Sequence, residues 1–246
     1  MRNDLIVPDW PAPPHVKALQ TTRRGGLSRP PFDGLNLGDH VGDDPLLVER
    51  NRQLLGELLP AEPVWLEQKH SADVVRAEHA GCRPAADACI ARSKNAVCVV
   101  MTADCLPVLL CDDDGSVVGA VHAGWRGLAG GVIEAAVRAM EVPGARLMAW
   151  LGPAIGPQAF EVGAEVRAAF VEQDAAAAAA FMRAGNASGQ EKYCADLYLL
   201  ARQRLQALGV ARIHGGGFCT WSDRDRWFSY RRDGATGRMA TMIWKT

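Results

Sequence analysis

The chain has 246 residues, of which 48% are hydrophobic and 22% are charged, values typical of a globular protein with a sizeable core. Lysine and arginine total 27 against 28 aspartates and glutamates, and this balance excludes a strongly basic nucleic-acid-binding body. No apolar stretch approaches the roughly 20 residues that cross a bilayer, and the acidic, proline-containing N-terminus is unlike a signal peptide. We therefore expect a cytoplasmic protein that binds neither nucleic acid nor membrane.

Seven cysteines are distributed along the chain, and no two stand in C-x-x-C spacing. The odd number and the expected cytoplasmic location predict reduced thiols rather than a disulfide framework. The missing C-x-x-C spacing excludes a structural zinc ribbon. Each cysteine is therefore interpreted either as a small buried hydrophobe or as a thiol available for chemistry.

Apolar periodicity predicts helices and strands in mixed order. In chain order we expect a helix over Leu46–Leu59, strands over Val97–Thr102, Leu106–Cys111 and Val117–Val121, a helix over Gly131–Met140, a strand over Leu147–Leu151, helices over Val162–Glu172, Ala175–Ala180 and Ala195–Leu208, and a strand over Met239–Trp244. Asp174 is the expected N-cap of the alanine run, and residues 185–189 are expected to form a loop. No dinucleotide-binding or P-loop glycine pattern is present. The predicted class is α+β, a mixed α/β sandwich with mixed sheets flanked by helices, in one domain over residues 1–246.

The most informative segment covers residues 101–127, where two apolar runs flank Asp-Asp-Asp-Gly at 112–115. This turn chemistry predicts a β-hairpin. If Cys111 pairs with Ser116, counting places Cys105 opposite His122, with Cβ atoms roughly 4.5–5.5 Å apart. A register slip of one residue would put the two side chains on opposite faces. Pro107 requires either an edge strand or a position that needs no N–H donor.

A thiol and an imidazole at that distance can share a proton or a metal ion. A metal needs a third ligand, and spacing alone leaves the other five histidines open, although His70 lies in a polar break between apolar runs. Asp104 and Arg126 flank the pair in breaks at strand ends, where functional groups concentrate. Asp104 could shuttle protons, and Arg126 could contact an anion together with the backbone N–H groups of the helix that starts near Gly131.

Several long motifs resemble the bacterial YfiH family, also described as DUF152 or as multicopper polyphenol oxidases, over about residues 21–244. The matching segments are TRRGGLS (22–28), LNLGDHVGDDP (35–45), QKHSADVV (68–75), ADAC (86–89), TADCLPVLL (102–110), HAGWRG (122–127), LGPAIGPQAFEVG (151–163) and GGGFCTW…FSYRRDGATGRMA (215–240). The resemblance implies a mixed α/β sandwich with a broad likeness to the cysteine hydrolases of deamidating toxins. It also implies a catalytic zinc held by His70, Cys105 and His122, with copper as a possible substitute.

The resemblance implies phosphorolysis of adenosine, inosine, guanosine and methylthioadenosine, with inorganic phosphate as co-substrate, and hydrolytic deamination of adenosine. An alternative is an amidase that removes a misincorporated amino acid from a UDP-MurNAc peptidoglycan precursor. A copper polyphenol oxidase is disfavoured, because six histidines are too few for both a blue-copper site and a trinuclear cluster. A structural zinc on an interaction protein is disfavoured by the three-ligand count.

We assign catalytic roles to Cys105, Asp104 and His122, and substrate-binding roles to Asn36, Gln68 and Arg126. Asn36 could equally cap its own loop. Other candidates for an anion cradle are Arg23, Arg24, Arg231 and Arg232, each of which could instead face solvent. Phe160 stands where the family pattern has a tyrosine, and Ala91 stands where it often has a threonine. The expected partner is a small-molecule substrate, and the expected state is a monomer or weak homodimer.

Overall fold

The computed structural model describes residues 4–184 and 191–246, whose strands form three sheets. In chain order the strands are β1 (Val16–Gln20), β2 (Val74–Arg76), β3 (Ala88–Ala91), β4 (Cys98–Thr102), β5 (Leu106–Asp112), β6 (Val118–Ala123), β7 (Leu147–Leu151), β8 (Glu161–Gly163), β9 (Phe181–Arg183), β10 (Lys192–Ala195), β11 (Arg212–Gly215) and β12 (Met239–Lys245). The helices are α1 (Pro45–Gly56), α2 (Trp125–Ala129), α3 (Val132–Ala139), α4 (Ala164–Val171), α5 (Leu197–Ala207) and α6 (Tyr230–Asp233). Short 3₁₀ helices lie at Ala77–His79, Gly144–Arg146 and Ala175–Ala180.

A six-stranded mixed sheet in the order β11-β7-β5-β6-β3-β2 forms the centre of the fold. Its central strands are antiparallel, whereas β11–β7 and β2–β3 are parallel. The antiparallel sheet β1-β12-β4 packs on one face, and helices α3 and α5 cover the other. The third sheet has the order β8-β10-β9. The predicted α+β class with mixed sheets is therefore confirmed, while the single-domain interpretation stays a prediction.

The hydrophobic pattern of β5 shows why this strand lies at the centre. Leu106, Val108 and Leu110 pack into the core on the helical side, and Leu109 and Cys111 pack into the core shared with the small sheet. Successive side chains of a strand point to opposite faces, so a strand covered on both faces is apolar throughout. The continuous apolar run in the sequence is the direct consequence.

Each predicted strand and helix overlaps an observed element, with two differences of type. The segment predicted as one helix over Val162–Glu172 starts as strand, because Val162 pairs with Tyr193 of β10 before α4 begins. The alanine run forms a 3₁₀ helix rather than an α-helix, since it is followed at once by β9. Asp174 caps it as expected, accepting from the Ala176 N–H at 2.9 Å. The predicted loop at 185–189 lies outside the described residues.

The β5–β6 hairpin is present, but the predicted register is wrong by two residues. Cys111 pairs with Val118, so Pro107 rather than Cys105 lies opposite His122. Asp112 causes the difference, because its carboxylate accepts from the Val117 N–H at 3.0 Å and from the Ser116 hydroxyl at 2.8 Å and so widens the loop. A slip of two residues keeps the same faces, which preserves the proximity of Cys105 to His122.

Pro107 lies in an inner strand of the sheet, so the edge-strand alternative is wrong. Opposite it, the His122 N–H turns away from β5 and donates to the Asp87 carbonyl at 2.7 Å. Pro107 thus takes the other predicted alternative, a position where no donor is needed. All seven cysteines are free, in agreement with the expected reduced thiols. Within the described ranges, no helix has the length and apolar character that crossing a membrane demands.

Candidate metal centre and its cavity

Three side chains from separate parts of the chain meet at one end of the six-stranded sheet. His70 precedes β2, Cys105 immediately precedes β5, and His122 lies near the end of β6. Their ligand atoms all lie within 4.8 Å of one another, and the two imidazole centroids are 4.8 Å apart. Two imidazole nitrogens and one sulfur are therefore close enough together to bind a single metal ion.

The backbone at this point adopts conformations that L-residues rarely take. His70 has φ of 58°, and Asp104, the residue before Cys105, has φ of 93°. Such residues persist only where surrounding contacts hold them, and they concentrate at functional sites. The Asp104 carboxylate supplies these contacts beside Cys105, because it accepts from the Thr220 hydroxyl and from the Arg231 N–H, both at 2.6 Å.

Asp87 positions two of the three candidate ligands through hydrogen bonds, and the sequence reasoning missed it. Its carboxylate accepts from the backbone N–H groups of Lys69, His70 and Ser71 at 2.7–3.0 Å and lies 2.7 Å from Nδ1 of His122. One fully buried carboxylate thus holds the loop of one ligand and orients the ring of another. Its position in the ADAC segment, directly before β3, was the available signal.

The charged forms of Asp87 and His122 stabilise each other, whereas His70 is disfavoured as a cation. Burial opposes ionisation of Asp87, but hydrogen bonds from His122 and from the loop N–H groups outweigh it and lower the Asp87 pKa to about 2. Burial also disfavours a charged His122, but the facing Cys105 sulfur and Asp87 raise the His122 pKa to about 9. Burial, followed by the nearby His122, lowers the pKa of His70.

Gly124 gives the donor atoms the space they need. A Cβ at this position would lie 2.6 Å from Nδ1 of His70 and 2.9 Å from Sγ of Cys105, closer than real Cβ contacts allow. Only glycine can therefore occupy position 124 while both ligands keep their places. Gly124 is the first glycine of the HAGWRG segment. This close approach, rather than a positive φ, explains why it is glycine, since its φ is −64°.

The donor set fits zinc. Two imidazoles and one thiolate are typical zinc ligands, and catalytic zinc sites keep three protein ligands with a fourth position for water or substrate. Asp87 is the outer-sphere carboxylate that metal-binding histidines usually have. Since Asp87 engages Nδ1 of His122, Nε2 is the nitrogen left for a metal. Copper accepts the same donors.

A cavity of about 520 Å³, here called the metal-side cavity, opens over this centre. Its lining residues come from loops, from the ends of β4 and β6 and from helices α2 and α6: His40, Gln68, His70, Met101, Thr102, Ala103, Cys105, His122, Trp125, Arg126, Tyr230 and Arg238. Two arginines and three histidines are among them, but no aspartate or glutamate. The cavity is therefore suited to an anionic or electron-rich ligand.

Of the predicted substrate-binding residues, Arg126 and Gln68 line this cavity. The guanidinium of Arg126 lies over the Trp125 ring, 4.4 Å from its centroid. Gln68 binds strand β4, since its amide donates to the Met101 carbonyl at 2.8 Å and accepts from the Met101 N–H at 2.7 Å. Gln68 thus shapes the wall of the cavity.

Asn36 and Asp104 do not line the cavity. Asn36 is fully buried, and its amide bonds with Gly38, Asp43 and the Arg238 N–H, which agrees with the loop-capping alternative. Both Asp104 oxygens face Thr220 and Arg231 rather than the cavity. The roles assigned to these residues in substrate binding and proton transfer stay predictions.

The other candidate arginines lie elsewhere. Arg23 and Arg24 line a second cavity of about 650 Å³, here called the arginine–aspartate cavity, whose other lining residues are Gly25, Pro31, Asp33, Gly34, Arg224, Asp225, Asp233 and Ala235. Arg231 donates to the Glu161 carbonyl, and Arg232 donates to three backbone carbonyls and to Asp233. Phe160 packs in the core and Ala91 is buried in β3, so neither departure from the family pattern reaches the metal-side cavity.

The cavity residues that the sequence reasoning missed or set aside are His40, Met101, Thr102, Ala103, Trp125, Tyr230 and Arg238. His40 lies in the polar loop after Asn36 and was set aside among the open histidines. Arg238 lies in the GATGRMA segment directly before β12, but nothing in that pattern distinguishes it from a solvated arginine. Arg238 and Cys105 are more than 100 residues apart in the sequence and meet only through the tertiary fold. A local sequence pattern cannot predict such a contact.

Known proteins resemble this chain in both sequence and fold. The family model described as multi-copper polyphenol oxidoreductase laccase matches residues 17–246. A Pseudomonas aeruginosa protein named purine nucleoside phosphorylase is 54% identical over 98% of both chains. Purine nucleoside phosphorylase YfiH of Escherichia coli is 53% identical over the same shares. A solved Neisseria meningitidis protein described as DUF152 superposes with a TM-score of 0.93 at 52% identity, covering 98% of this chain and 99% of that one. The chain therefore belongs to the YfiH family, whose model bears the multi-copper polyphenol oxidoreductase laccase description.

Proposed function

We propose that this protein is a zinc-dependent purine nucleoside phosphorylase whose reaction takes place in the metal-side cavity. The observation that carries the proposal is the convergence of His70, Cys105 and His122 beneath a cavity with two arginines and no carboxylate. The names of the relatives that are 53–54% identical support the same activity. The substrates expected from the family resemblance are adenosine, inosine, guanosine and methylthioadenosine.

The reaction needs an anion, a leaving group and a positioned nucleoside. An oxygen lone pair of inorganic phosphate forms a bond to C1′ of the ribose while the C1′–N9 bond breaks. The electron pair of the C1′–N9 bond passes to the purine, which takes up a proton. For a ribonucleoside such as adenosine, the products are the free base and ribose 1-phosphate. Zinc held by the three donors would supply Lewis acidity and would lower the pKa of a coordinated water to about 7.

The protein side chains account for binding and orientation. Trp125 and Tyr230 line the cavity and offer aromatic faces on which a purine can stack. Arg126 is exposed and supplies a cation to this cavity, and within the described chain no carboxylate pairs with it. Asp87 holds His70 and His122 in place. Asp104, with both oxygens bonded to Thr220 and Arg231, holds the backbone before Cys105, which supports a positioning role for this residue.

Deamination of adenosine is a second reaction of the same site in this proposal. Water adds to C6 of the purine, ammonia leaves, and inosine is the product. Zinc deaminases of nucleobases use such a metal-activated water. Because the reaction requires no phosphate, its rate should not depend on phosphate, and this separates the two activities in one assay.

One observation favours the amidase as a second candidate. Asp87 lies 2.7 Å from Nδ1 of His122, and Cys105 lies close enough to interact with the same imidazole. This is the order of a nucleophile, base and orienting acid. Without metal, the Cys105 sulfur would bond to the amide carbonyl carbon of a peptidoglycan precursor, and the C–N bond would break as His122 protonates the departing amine. Water would then hydrolyse the resulting thioester, releasing the carboxylate and regenerating Cys105.

The donor count argues against a multicopper oxidase. The described residues bring together one group of three donors, formed by His70, Cys105 and His122. A blue-copper centre uses two histidines and one cysteine, which would exhaust this group. A trinuclear cluster would need a second group of histidines, and such a group is not found in residues 4–184 or 191–246.

Product analysis of the zinc-loaded protein tests the proposal. Adenosine is incubated with and without phosphate, and the products are separated by chromatography. We expect adenine and ribose 1-phosphate only with phosphate, no turnover by Cys105→Ala, and normal turnover by Cys82→Ala, which changes an exposed cysteine. Zinc-loaded protein that leaves every nucleoside unchanged would refute the proposal. Hydrolysis of a muropeptide precursor by metal-free protein would instead establish the amidase.

A further inference from the structure

Arg238 occupies an unusual position for an arginine. It directly precedes β12, it is half-buried, and it lines the metal-side cavity. Burial lowers its pKa, while attraction to Cys105 and Asp104 acts in the opposite direction. A buried guanidinium is normally neutralised by a carboxylate. Within the described residues, no salt bridge to Arg238 is found.

The side chain of Arg238 is held rigidly. Its backbone N–H donates to the Asn36 side-chain oxygen at 2.9 Å, and Nη1 of its guanidinium donates to the carbonyls of Thr236 and Gly237, each at 3.0 Å. Its stem passes so close to Gly38 that a Cβ there would lie 2.8 Å from Cγ of Arg238. These contacts use one of the terminal nitrogens. Nη2 and Nε have no hydrogen-bond partner in the part of the chain that the structure describes.

A second polar group lacks a partner in the same cavity. Thr102 is 2% exposed and lines the metal-side cavity, yet its Oγ1 has no hydrogen-bond partner among the described residues. A buried hydroxyl without a partner is destabilising and is rare in native proteins. Thr102 ends β4, three residues before Cys105, and Arg238 is near enough to Cys105 to be attracted to it, so the unpartnered hydroxyl and the guanidinium line the same cavity as this candidate ligand.

We propose that Arg238 and Thr102 form the subsite for inorganic phosphate. Arg238 supplies planar N–H donors and positive charge, and the Thr102 hydroxyl supplies a donor to a second phosphate oxygen. The inference rests on the proposed phosphorylase function, because phosphate is the nucleophile in that reaction. It places the attacking anion on the inner wall of the cavity beside Cys105, and leaves the aromatic residues Trp125 and Tyr230 for the base.

The chemistry of the two groups favours phosphate over a carboxylate or a neutral ligand. No acid lines the cavity, so the anion itself would neutralise Arg238. Phosphate offers several acceptor oxygens, which can meet both groups at once. A fixed guanidinium discriminates by geometry as well as by charge, so lysine at position 238 should restore only part of the binding.

The test compares Arg238→Gln, Arg238→Lys and Thr102→Val with Arg183→Gln, which changes a remote, exposed arginine. Steady-state phosphorolysis is measured against phosphate at saturating adenosine and against adenosine at saturating phosphate. We expect Arg238→Gln to raise the phosphate KM about 10- to 100-fold and Thr102→Val about fivefold, as expected for one charged and one neutral hydrogen bond. The adenosine KM and the zinc content should stay unchanged, and Arg238→Lys should be intermediate.

Binding of inorganic phosphate alone, followed by ³¹P NMR line broadening on the zinc-loaded protein, separates this inference from the proposed function. Saturable binding that Arg238→Gln removes and Arg183→Gln retains supports the subsite even if no nucleoside is turned over. Equal phosphate affinity in all variants overturns the subsite, whether or not phosphorolysis occurs. A parallel rise in both KM values, or loss of zinc from Arg238→Gln, also overturns it, because Arg238 would then hold the cavity together rather than bind phosphate.

Discussion

The two arginine-bearing cavities differ in how their charges are compensated. In the arginine–aspartate cavity, Arg23 pairs with Asp33 at 3.0 Å, and Arg24 donates to the Asp225 carbonyl. Aspartates and arginines are present there in equal numbers. In the metal-side cavity, Arg126 and Arg238 face a wall without carboxylates. The positive charges of the arginine–aspartate cavity are therefore balanced by aspartates. Those of the metal-side cavity are not balanced by carboxylates in its lining and can attract an anion.

This difference shows that cavity size and arginine number are poor guides to a site. An arginine whose donors already bond to carboxylates or carbonyls must lose those bonds before it can hold a ligand. Arg238 has no carboxylate partner and keeps Nε and Nη2 without a hydrogen-bond partner among the described residues, so these donors meet less competition beside the candidate metal ligands. Four predictions test whether the chemistry is confined to the metal-side cavity, beginning with the largest expected effect.

Replacing His122 by alanine should have the largest effect. We expect bound zinc and phosphorolysis to fall to background, since one of three metal ligands is removed and the remaining two cannot hold the ion. The metal-free protein should also lose about 2–3 kcal/mol of unfolding free energy, because the buried Asp87 loses a charged hydrogen-bond partner. Metal analysis and urea unfolding measure the two effects. Full zinc occupancy in this variant would show that the ion binds elsewhere, and His79→Ala serves as control.

Asp87→Asn should weaken zinc binding about 10- to 100-fold while leaving the three metal ligands in place. An amide keeps one acceptor oxygen but loses the negative charge that orients His122 and holds the loop of His70. A competition titration with a chelator measures the affinity. Asp174→Asn, which preserves an N-cap on the surface, is the matched control. An unchanged affinity would remove Asp87 from the metal centre.

Gly124→Ala should weaken zinc binding by about tenfold or more, on the scale of losing an outer-sphere partner. The added methyl group meets His70 and Cys105 at under 3 Å, so at least one ligand must move. Gly81→Ala, where the new Cβ meets nothing within 4 Å, is the control. The same chelator competition applies. Wild-type affinity in Gly124→Ala would mean that the two ligands can shift without cost.

Arg24→Gln should have the smallest effect, and this sharpens the comparison between the cavities. We expect the phosphate KM to stay within about twofold and the unfolding free energy within about 0.5 kcal/mol, as for an ordinary surface substitution. Arg126→Gln, assayed beside it, should raise the KM for phosphate or nucleoside about tenfold, because its cation faces the ligand. A large effect of Arg24→Gln would move the anion site to the arginine–aspartate cavity.

Local patterns predicted much of the central fold. The apolar runs that became β4, β5, β6, β7 and β12 were all recognised, because a strand buried on both faces must be apolar along its length. The strands β1, β2, β3, β8, β9, β10 and β11 were missed, and all of these except β1 have only three or four residues, too few for a recognisable periodicity. The predicted hairpin register was wrong because the sequence is compatible with two turn lengths. Hydrogen bonds from Ser116 and Val117 to the Asp112 carboxylate stabilise the longer turn.

The sequence by itself determined the class of the fold, the hairpin that carries Cys105 and His122, and, through its motifs, the family and a third candidate ligand in His70. Tertiary structure alone decided which polar groups remain free. Asp87 lies behind two ligands, Asn36 caps a loop, and Arg238 reaches the cavity without a carboxylate partner. The physical reason is that a side chain's availability depends on which donors and acceptors lie around it, and those neighbours come from distant parts of the chain.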